Sequence, residues 1–106
     1  MKRRLLMLGV AVVFALSTAT VASAHTPIFG CFLDGEDYIV CEGGFSDGSS
    51  AAGVPIRVVD EEGEILIEGE MDEFSMFEFE EPEVPFTVIF DGGPGHIVEI
   101  DGEDIH

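Results

Sequence analysis

Histidines are the side chains of this chain best suited to hold a metal ion, and His25 gains a second donor if the chain is cut after Ala24. His25 would then be the first residue, and its free amine and imidazole Nδ1 could close one chelate ring. A second imidazole would complete a three-nitrogen set known as a histidine brace. Nitrogen donors of this kind suit Cu, Ni, Co or Zn, with the highest intrinsic affinity for Cu(II).

His96 is the best candidate for the second imidazole. It follows a Gly-Pro-Gly turn at residues 93–95 and opens the last predicted strand, so we expect it at a rim of the fold, where glycine permits close approach. A carboxylate such as Glu99 could complete the ligand shell. The alternative is that His25 and His96 are ordinary surface residues. We expect no metal role for His106, because chain ends fray.

The cut itself is predicted from the first 24 residues. A basic start (Lys2, Arg3 and Arg4) precedes an apolar run at residues 5–16, and residues 22–24 read Ala-Ser-Ala. This order is typical of a signal peptide, so we predict export to the periplasm or beyond the cell. Residues 1–24 are the predicted signal peptide and residues 25–106 the predicted domain. No later apolar stretch is long enough to span a bilayer, so we expect the product to be soluble.

Charge excludes several partners. After the cut, one basic residue, Arg57, stands against 22 acidic ones, a net charge of −21. Such a chain cannot neutralise phosphates, so nucleic acid is excluded, and an anionic membrane surface would repel it. The acidity fits a solvated coat, a diffuse attraction for cations, or docking to a basic partner. The last option defines an alternative function, a non-catalytic interaction module with no metal site.

Cys31 and Cys41 are the only cysteines, and they flank a turn signal at residues 34–37. If that turn joins two strands, the cysteines lie opposite each other, a spacing that suits a cross-strand disulfide. Export to an oxidising compartment permits one. Metal ligation and free thiols remain alternatives, although the chain lacks the CxxC pair usual in zinc sites.

The pattern after the leader predicts strands and turns throughout. Short apolar-alternating runs are separated by Gly, Asp and Pro, and no segment has helical periodicity. We predict seven short strands in an all-β fold, a small antiparallel β-sandwich of immunoglobulin-like or transthyretin-like type preceded by a signal-peptide helix. Residues 43–53 are predicted as a Gly/Ser-rich connection. The predicted core residues are Ile56, Val58, Ile65, Ile67, Phe77, Phe79, Val88 and Phe90.

The usual enzyme motifs lack their context in this sequence. Residues 44–48 (GFSDG) match the letters of GxSxG, but no helical pattern follows them, as a nucleophile elbow requires. The sequence contains no HExxH or P-loop pattern, and none of its Asp-Gly pairs continues as an EF-hand loop. We therefore expect a protein that is not an enzyme. A copper enzyme of the brace type is a minor alternative, because 82 residues leave little room for a substrate platform.

Several stretches resemble the small periplasmic subunits of nickel and cobalt energy-coupling-factor transporters. Residues 42–49 (EGGFSDGS) resemble their GxFSDGxPA motif, residues 58–69 resemble their VxDxxGxxLxEG hairpin, and residues 71–79 resemble TDExGxFxF. Residues 93–96 (GPGH) resemble AGxGH, and the Ala-His pair at residues 24–25 matches the start of such proteins after cleavage. Ser75 stands where that pattern has Gly.

The resemblance covers about residues 24–101 and implies both a fold and a function. It implies a sandwich like the transthyretin and carboxypeptidase-regulatory domains, and a nickel or cobalt ion bound by His25 and His96. The nitrogen donors themselves leave copper as a further option. It also implies membrane components of a metal-uptake transporter as partners. We expect a stand-alone soluble binding protein at least as readily as a transporter subunit.

Overall fold

The strands of this chain form two antiparallel sheets. The structure, a computed structural model, describes residues 25–106, and the predicted signal peptide at residues 1–24 lies outside the described part. The strands are β1 (Pro27–Leu33), β2 (Tyr38–Phe45), β3 (Pro55–Asp60), β4 (Ile65–Glu70), β5 (Met76–Glu80), β6 (Phe86–Asp91) and β7 (Ile97–Asp101), followed by a 3₁₀ turn at Gly102–Asp104. The predicted all-β sandwich with seven strands is confirmed.

The order of the strands is β1-β2-β5 in one sheet and β4-β3-β6-β7 in the other. This is the order of an immunoglobulin constant-type sandwich in which β4 has moved to the edge of the second sheet. The first and last strands, β1 and β7, lie beside each other although they belong to different sheets. The residues that precede these two strands are therefore brought to the same end of the sandwich.

The core forms where the alternating apolar residues of the two sheets face each other. Five of the eight predicted core residues are buried, Ile56, Val58, Phe79, Val88 and Phe90. Ile67 and Phe77 pack against this core while partly exposed. The prediction for Ile65 is wrong, because the β3–β4 pairing shifts at Val58/Val59 and leaves Ile65 about half exposed.

The disulfide between Cys31 and Cys41 is confirmed. The two residues pair directly across β1 and β2, and their sulfur atoms are bonded at 2.03 Å. Cys41 is fully buried in the core. The bond therefore ties the edge strand β1, which follows His25, to the central strand of its sheet.

Strand β2 is longer than predicted, since it continues through Gly43 and Gly44 to Phe45. A glycine at residue 43 leaves room for the core, because a β-carbon there would lie 3.0 Å from Met71 Cε and 3.1 Å from the Phe90 ring. Gly43 thus permits close core packing rather than starting a loop. The predicted connection at residues 43–53 begins only after Phe45.

The carboxyl terminus is docked rather than frayed, contrary to the prediction. Ile105 is buried, and the Leu33 N–H donates to the His106 carbonyl oxygen at 3.0 Å. Because Leu33 ends β1, the terminus lies at the far end of that strand from His25. None of the described helical segments in residues 25–106 is long and apolar enough to cross a membrane.

Candidate metal centre

His25 and His96, the two predicted ligands, lie side by side. Their ring centroids are 5.1 Å apart and their planes differ by 25°. His25 lies two residues before β1 and His96 immediately before β7, so the adjacency of these strands brings the rings together. The structure does not bring His106 to this pair, because that residue follows Ile105 at the opposite end of β1.

The start of the described chain is fixed by the loop after β2. The Thr26 N–H donates to Ser46 Oγ at 2.7 Å, and the Ser46 N–H donates to the Thr26 carbonyl oxygen at 2.8 Å. These reciprocal hydrogen bonds extend the β1–β2 pairing, in which Pro27 lies opposite Phe45. His25 is therefore held one residue beyond a hydrogen-bonded anchor, although its side chain is about half exposed.

Phe45 forms the apolar floor of the histidine pair. Its ring lies edge-on to His25 with centroids 5.2 Å apart, and 6.4 Å from the His96 ring. On its other side it approaches the fully buried Phe90 at 6.1 Å. The imidazoles thus lie on an aromatic layer continuous with the core, so water has access mainly from the outer side.

A tight turn between β6 and β7 presents His96. The Gly92 N–H donates to the His96 carbonyl oxygen at 3.0 Å, and the His96 N–H donates to the Gly93 carbonyl oxygen at 2.9 Å. Asp91 supports this turn by accepting from the Gly93 N–H at 3.1 Å and from Arg57 Nη1 at 3.1 Å. The Gly93 N–H and then the Arg57 guanidinium lower the pKa of Asp91 below its ordinary value of 3.8.

A carbonyl group orients the His96 ring. Nδ1 lies 3.1 Å from the Pro94 carbonyl oxygen. Since a carbonyl oxygen can only accept, the contact requires that Nδ1 carry the proton and donate. The other ring nitrogen, Nε2, then holds the free lone pair, which is the tautomer that a metal ligand needs.

Asp47 belongs to this site, although the sequence reasoning did not single it out. Its Oδ2 lies 3.7 Å from His25 Nδ1, while its Oδ1 accepts from the Ser49 N–H at 2.9 Å and from Ser49 Oγ at 2.6 Å. These Ser49 hydrogen bonds, with a smaller contribution from His25, lower the pKa of Asp47 below 3.8. The sequence feature that could have pointed to Asp47 is its place in the FSDG stretch, residues 45–48.

Glu99, the carboxylate suggested as an additional ligand, lies on the wrong face. Val98 and Ile100 pack toward the core, whereas Ile97 and Glu99 are exposed. Successive side chains of a strand point to opposite faces, so Glu99 points away from the face that His96 shares with Val98. Asp47 replaces it as the carboxylate near the pair.

The spacing of the two imidazoles is within reach of one ion. Metal–imidazole bonds of about 2.0–2.1 Å put each ring centroid about 3.2 Å from the ion, so rings sharing an ion have centroids up to about 6.4 Å apart. The observed 5.1 Å lies within this limit. Within residues 25–106 no three His, Cys, Asp or Glu side chains already form a metal-binding group. The third nitrogen of the predicted brace, the His25 amine, would exist only after the predicted cut, because in the full chain it is a peptide nitrogen.

Comparison with protein-family models, curated proteins and solved structures found no match to this chain.

Proposed function

We propose that the mature chain is an exported protein that binds a divalent transition metal, nickel or cobalt, as an accessory component of a metal-uptake system. The single observation that carries this proposal is the 5.1 Å separation of the His25 and His96 rings. These residues are 71 positions apart in the chain, and they precede strands of different sheets. The resemblance of residues 42–49 and 93–96 to nickel and cobalt transporter subunits directs the choice of metal.

Each donor has a defined role in the proposed site. His25 supplies its amine and Nδ1, which close a chelate ring on one ion. His96 supplies Nε2, because its Nδ1 is engaged by the Pro94 carbonyl group. Cleavage after Ala24 is then a maturation step as well as an export step, since it creates the amine.

Two further observations support an exported cation-binding protein. The Cys31–Cys41 disulfide suits the periplasm or the cell exterior, where such bonds persist. The net charge of −21 on the mature chain attracts cations to its surface and raises their local concentration. Delivery to membrane components of an uptake transporter is the role that the family resemblance adds.

Calorimetric titration of Ni²⁺, Co²⁺ and Cu²⁺ into protein that begins at His25 tests the proposal. A matched protein that retains Ala24 has the same fold but no free amine at His25, so its affinity should fall by at least about tenfold. His96→Ala should weaken binding similarly, whereas His106→Ala is the control and should bind like the wild type. Equal affinity with and without Ala24 would exclude the brace.

An interaction module is the second candidate, and an exposed apolar groove favours it. The groove is lined by Ile28, Phe32 and Glu42 of strands β1 and β2 and by Phe74 of the turn before β5. Phe74 is 75% exposed and Ile28 61% exposed, which is unusual for side chains of this size. The high negative charge disfavours a second copy, so the occupant this surface fits is a cationic segment with apolar side chains.

A fluorescently labelled peptide of alternating Lys and Leu is a suitable probe for this second candidate. Ile28→Ser and Phe74→Ser should weaken its binding, whereas Leu66→Ser, on the other sheet, removes a comparable exposed side chain as the control. Binding should fall as salt rises. Peptide binding should survive His25→Ala and His96→Ala. An equal loss of peptide affinity in all three serine variants would contradict a specific groove.

A further inference from the structure

We propose that Asp47 is the fourth ligand of the same metal site and that its carboxylate makes the site select a divalent ion over Cu(I). This inference rests on the proposed function, since it assumes that His25 and His96 hold an ion. It adds an oxygen donor and a basis for selectivity that neither histidine supplies.

The distance between His25 and Asp47 is compatible with a shared ion. Two ligand atoms bonded at about 2.0–2.2 Å lie about 2.9–4.2 Å apart as the angle at the metal opens from a right angle to a straight line. The 3.7 Å between His25 Nδ1 and Asp47 Oδ2 falls inside that interval. It is also too long for a hydrogen bond, so Asp47 does not hold a proton on Nδ1 by accepting from it.

The loop holds Asp47 by one oxygen and leaves the other available. Oδ1 accepts both hydrogen bonds from Ser49, which fixes the carboxylate plane. Oδ2 faces His25 and is the oxygen that remains for an ion. Because Ser46 is bonded to Thr26 in both directions, the residue before Asp47 is tied to the residue after His25. The backbones that carry the two candidate ligands are therefore tied together.

The resulting donor set determines the class of ion. Two imidazoles, one amine and one carboxylate suit Ni²⁺, Co²⁺, Cu²⁺ or Zn²⁺, and the single negative charge offsets part of the charge of a divalent ion. Cu(I) prefers soft donors, and the carboxylate is a hard one. Loss of the carboxylate should therefore weaken divalent binding while leaving Cu(I) binding by the imidazoles largely intact.

The test compares Asp47→Asn with Asp60→Asn in protein that begins at His25. Asp47→Asn keeps an oxygen that accepts from Ser49 but removes the charged ligand. Asp60 is a matched control, because its Oδ1 also accepts two hydrogen bonds, in this case from the backbone N–H groups of Glu62 and Glu64, at the other end of the sandwich. Ni²⁺ and Cu²⁺ affinities come from calorimetry, and Cu(I) affinity from anaerobic competition with a chromophoric chelator.

We expect Asp47→Asn to lower Ni²⁺ and Cu²⁺ affinity by about tenfold or more and to change Cu(I) affinity less than threefold. Asp60→Asn should match the wild type for all ions. If Asp47→Asn behaves like Asp60→Asn while His96→Ala still weakens binding, the Asp47 ligand is refuted and the proposed function stands. If Asp47→Asn lowers the affinities for divalent ions and for Cu(I) equally, the proposed selectivity is refuted, because Asp47 then acts through the structure of the site. Absence of metal binding by the wild type would refute both proposals.

Discussion

Gly92 and His96 are in such close contact that only glycine fits at residue 92. A β-carbon at this position would lie 2.8 Å from the His96 carbonyl oxygen and 3.1 Å from the His96 β-carbon. The two residues face each other across the start of the β6–β7 hairpin, where the Gly92 N–H donates to the same carbonyl oxygen. The position of the second proposed ligand therefore depends on the absence of a side chain four residues earlier.

Gly92→Ala should displace His96 and weaken the proposed metal site. The added methyl group meets backbone, which cannot move aside cheaply, so we expect a loss of about 1–3 kcal/mol in the free energy of unfolding. Ni²⁺ affinity should fall in parallel. Gly30→Ala is the control, because a β-carbon there meets nothing within 4 Å. Urea unfolding and calorimetry measure both effects, and identical behaviour of the two variants would contradict this account.

Much of the fold was predictable because its signals are local. Alternation in Phe77 and Phe79, and turn residues between Cys31 and Cys41, depend only on neighbouring positions. The Asp47–His25 contact was not predictable in this way, because it depends on how the loop after β2 folds over the start of the chain. Glu99 was assigned to the site without regard to strand parity, which places it on the face opposite His96. Gly43 was interpreted as loop, although it serves close packing in β2.

Ser75 occupies a backbone conformation that normally requires glycine, and its side chain offsets part of the cost. Its φ is 61°, the one positive value among the described residues other than glycine. Its Oγ accepts from the Ala51 N–H at 2.9 Å and lies 3.0 Å from Ser50 Oγ. This explains how serine stands where the resembling motif has glycine.

Two replacements of Ser75 should separate the backbone strain from the contribution of the Ala51 hydrogen bond. Ser75→Ala keeps the left-handed strain but loses the hydrogen bond to Ala51, so we expect destabilisation by about 1–2 kcal/mol. Ser75→Gly loses the same bond but relieves the strain, so its free energy of unfolding should lie within about 1 kcal/mol of the wild type. Urea unfolding of the three proteins gives the comparison. Equal destabilisation by Ala and Gly would show that strain is unimportant here.

Reduction of the Cys31–Cys41 disulfide should lower stability measurably. The bond closes a loop of 10 residues, for which chain entropy predicts about 2–3 kcal/mol. The urea midpoint should therefore fall when a phosphine reductant is added and thiol titration confirms full reduction. The double variant Cys31→Ala/Cys41→Ala is the control for direct effects of the reductant and should not respond to it. An unchanged wild-type midpoint would mean that the hairpin needs no cross-link.

Acid should weaken the support that Asp91 gives to the His96 turn. The Gly93 N–H and the Arg57 guanidinium hold the pKa of Asp91 below 3.8 in the folded protein. A lowered folded-state pKa means that this carboxylate stabilises the fold above the unfolded value of 3.8, and that its contribution is lost as pH falls through the folded value. Relief of the repulsion among the 22 Asp and Glu residues of the sequence acts in the opposite direction.

Comparison with Asp91→Asn isolates the contribution of this carboxylate, because charge relief affects both proteins. The difference between their free energies of unfolding should be largest at neutral pH and should shrink as pH falls below 3.8. Glu62→Gln, at the β3–β4 turn, also removes one negative charge. It leaves the ion pair of Arg57 intact, because that pair is formed with Asp91. Its difference from the wild type should not shrink in this way. A gap for Asp91→Asn that stays constant or widens in acid would show that the Arg57–Asp91 pair does not stabilise the turn.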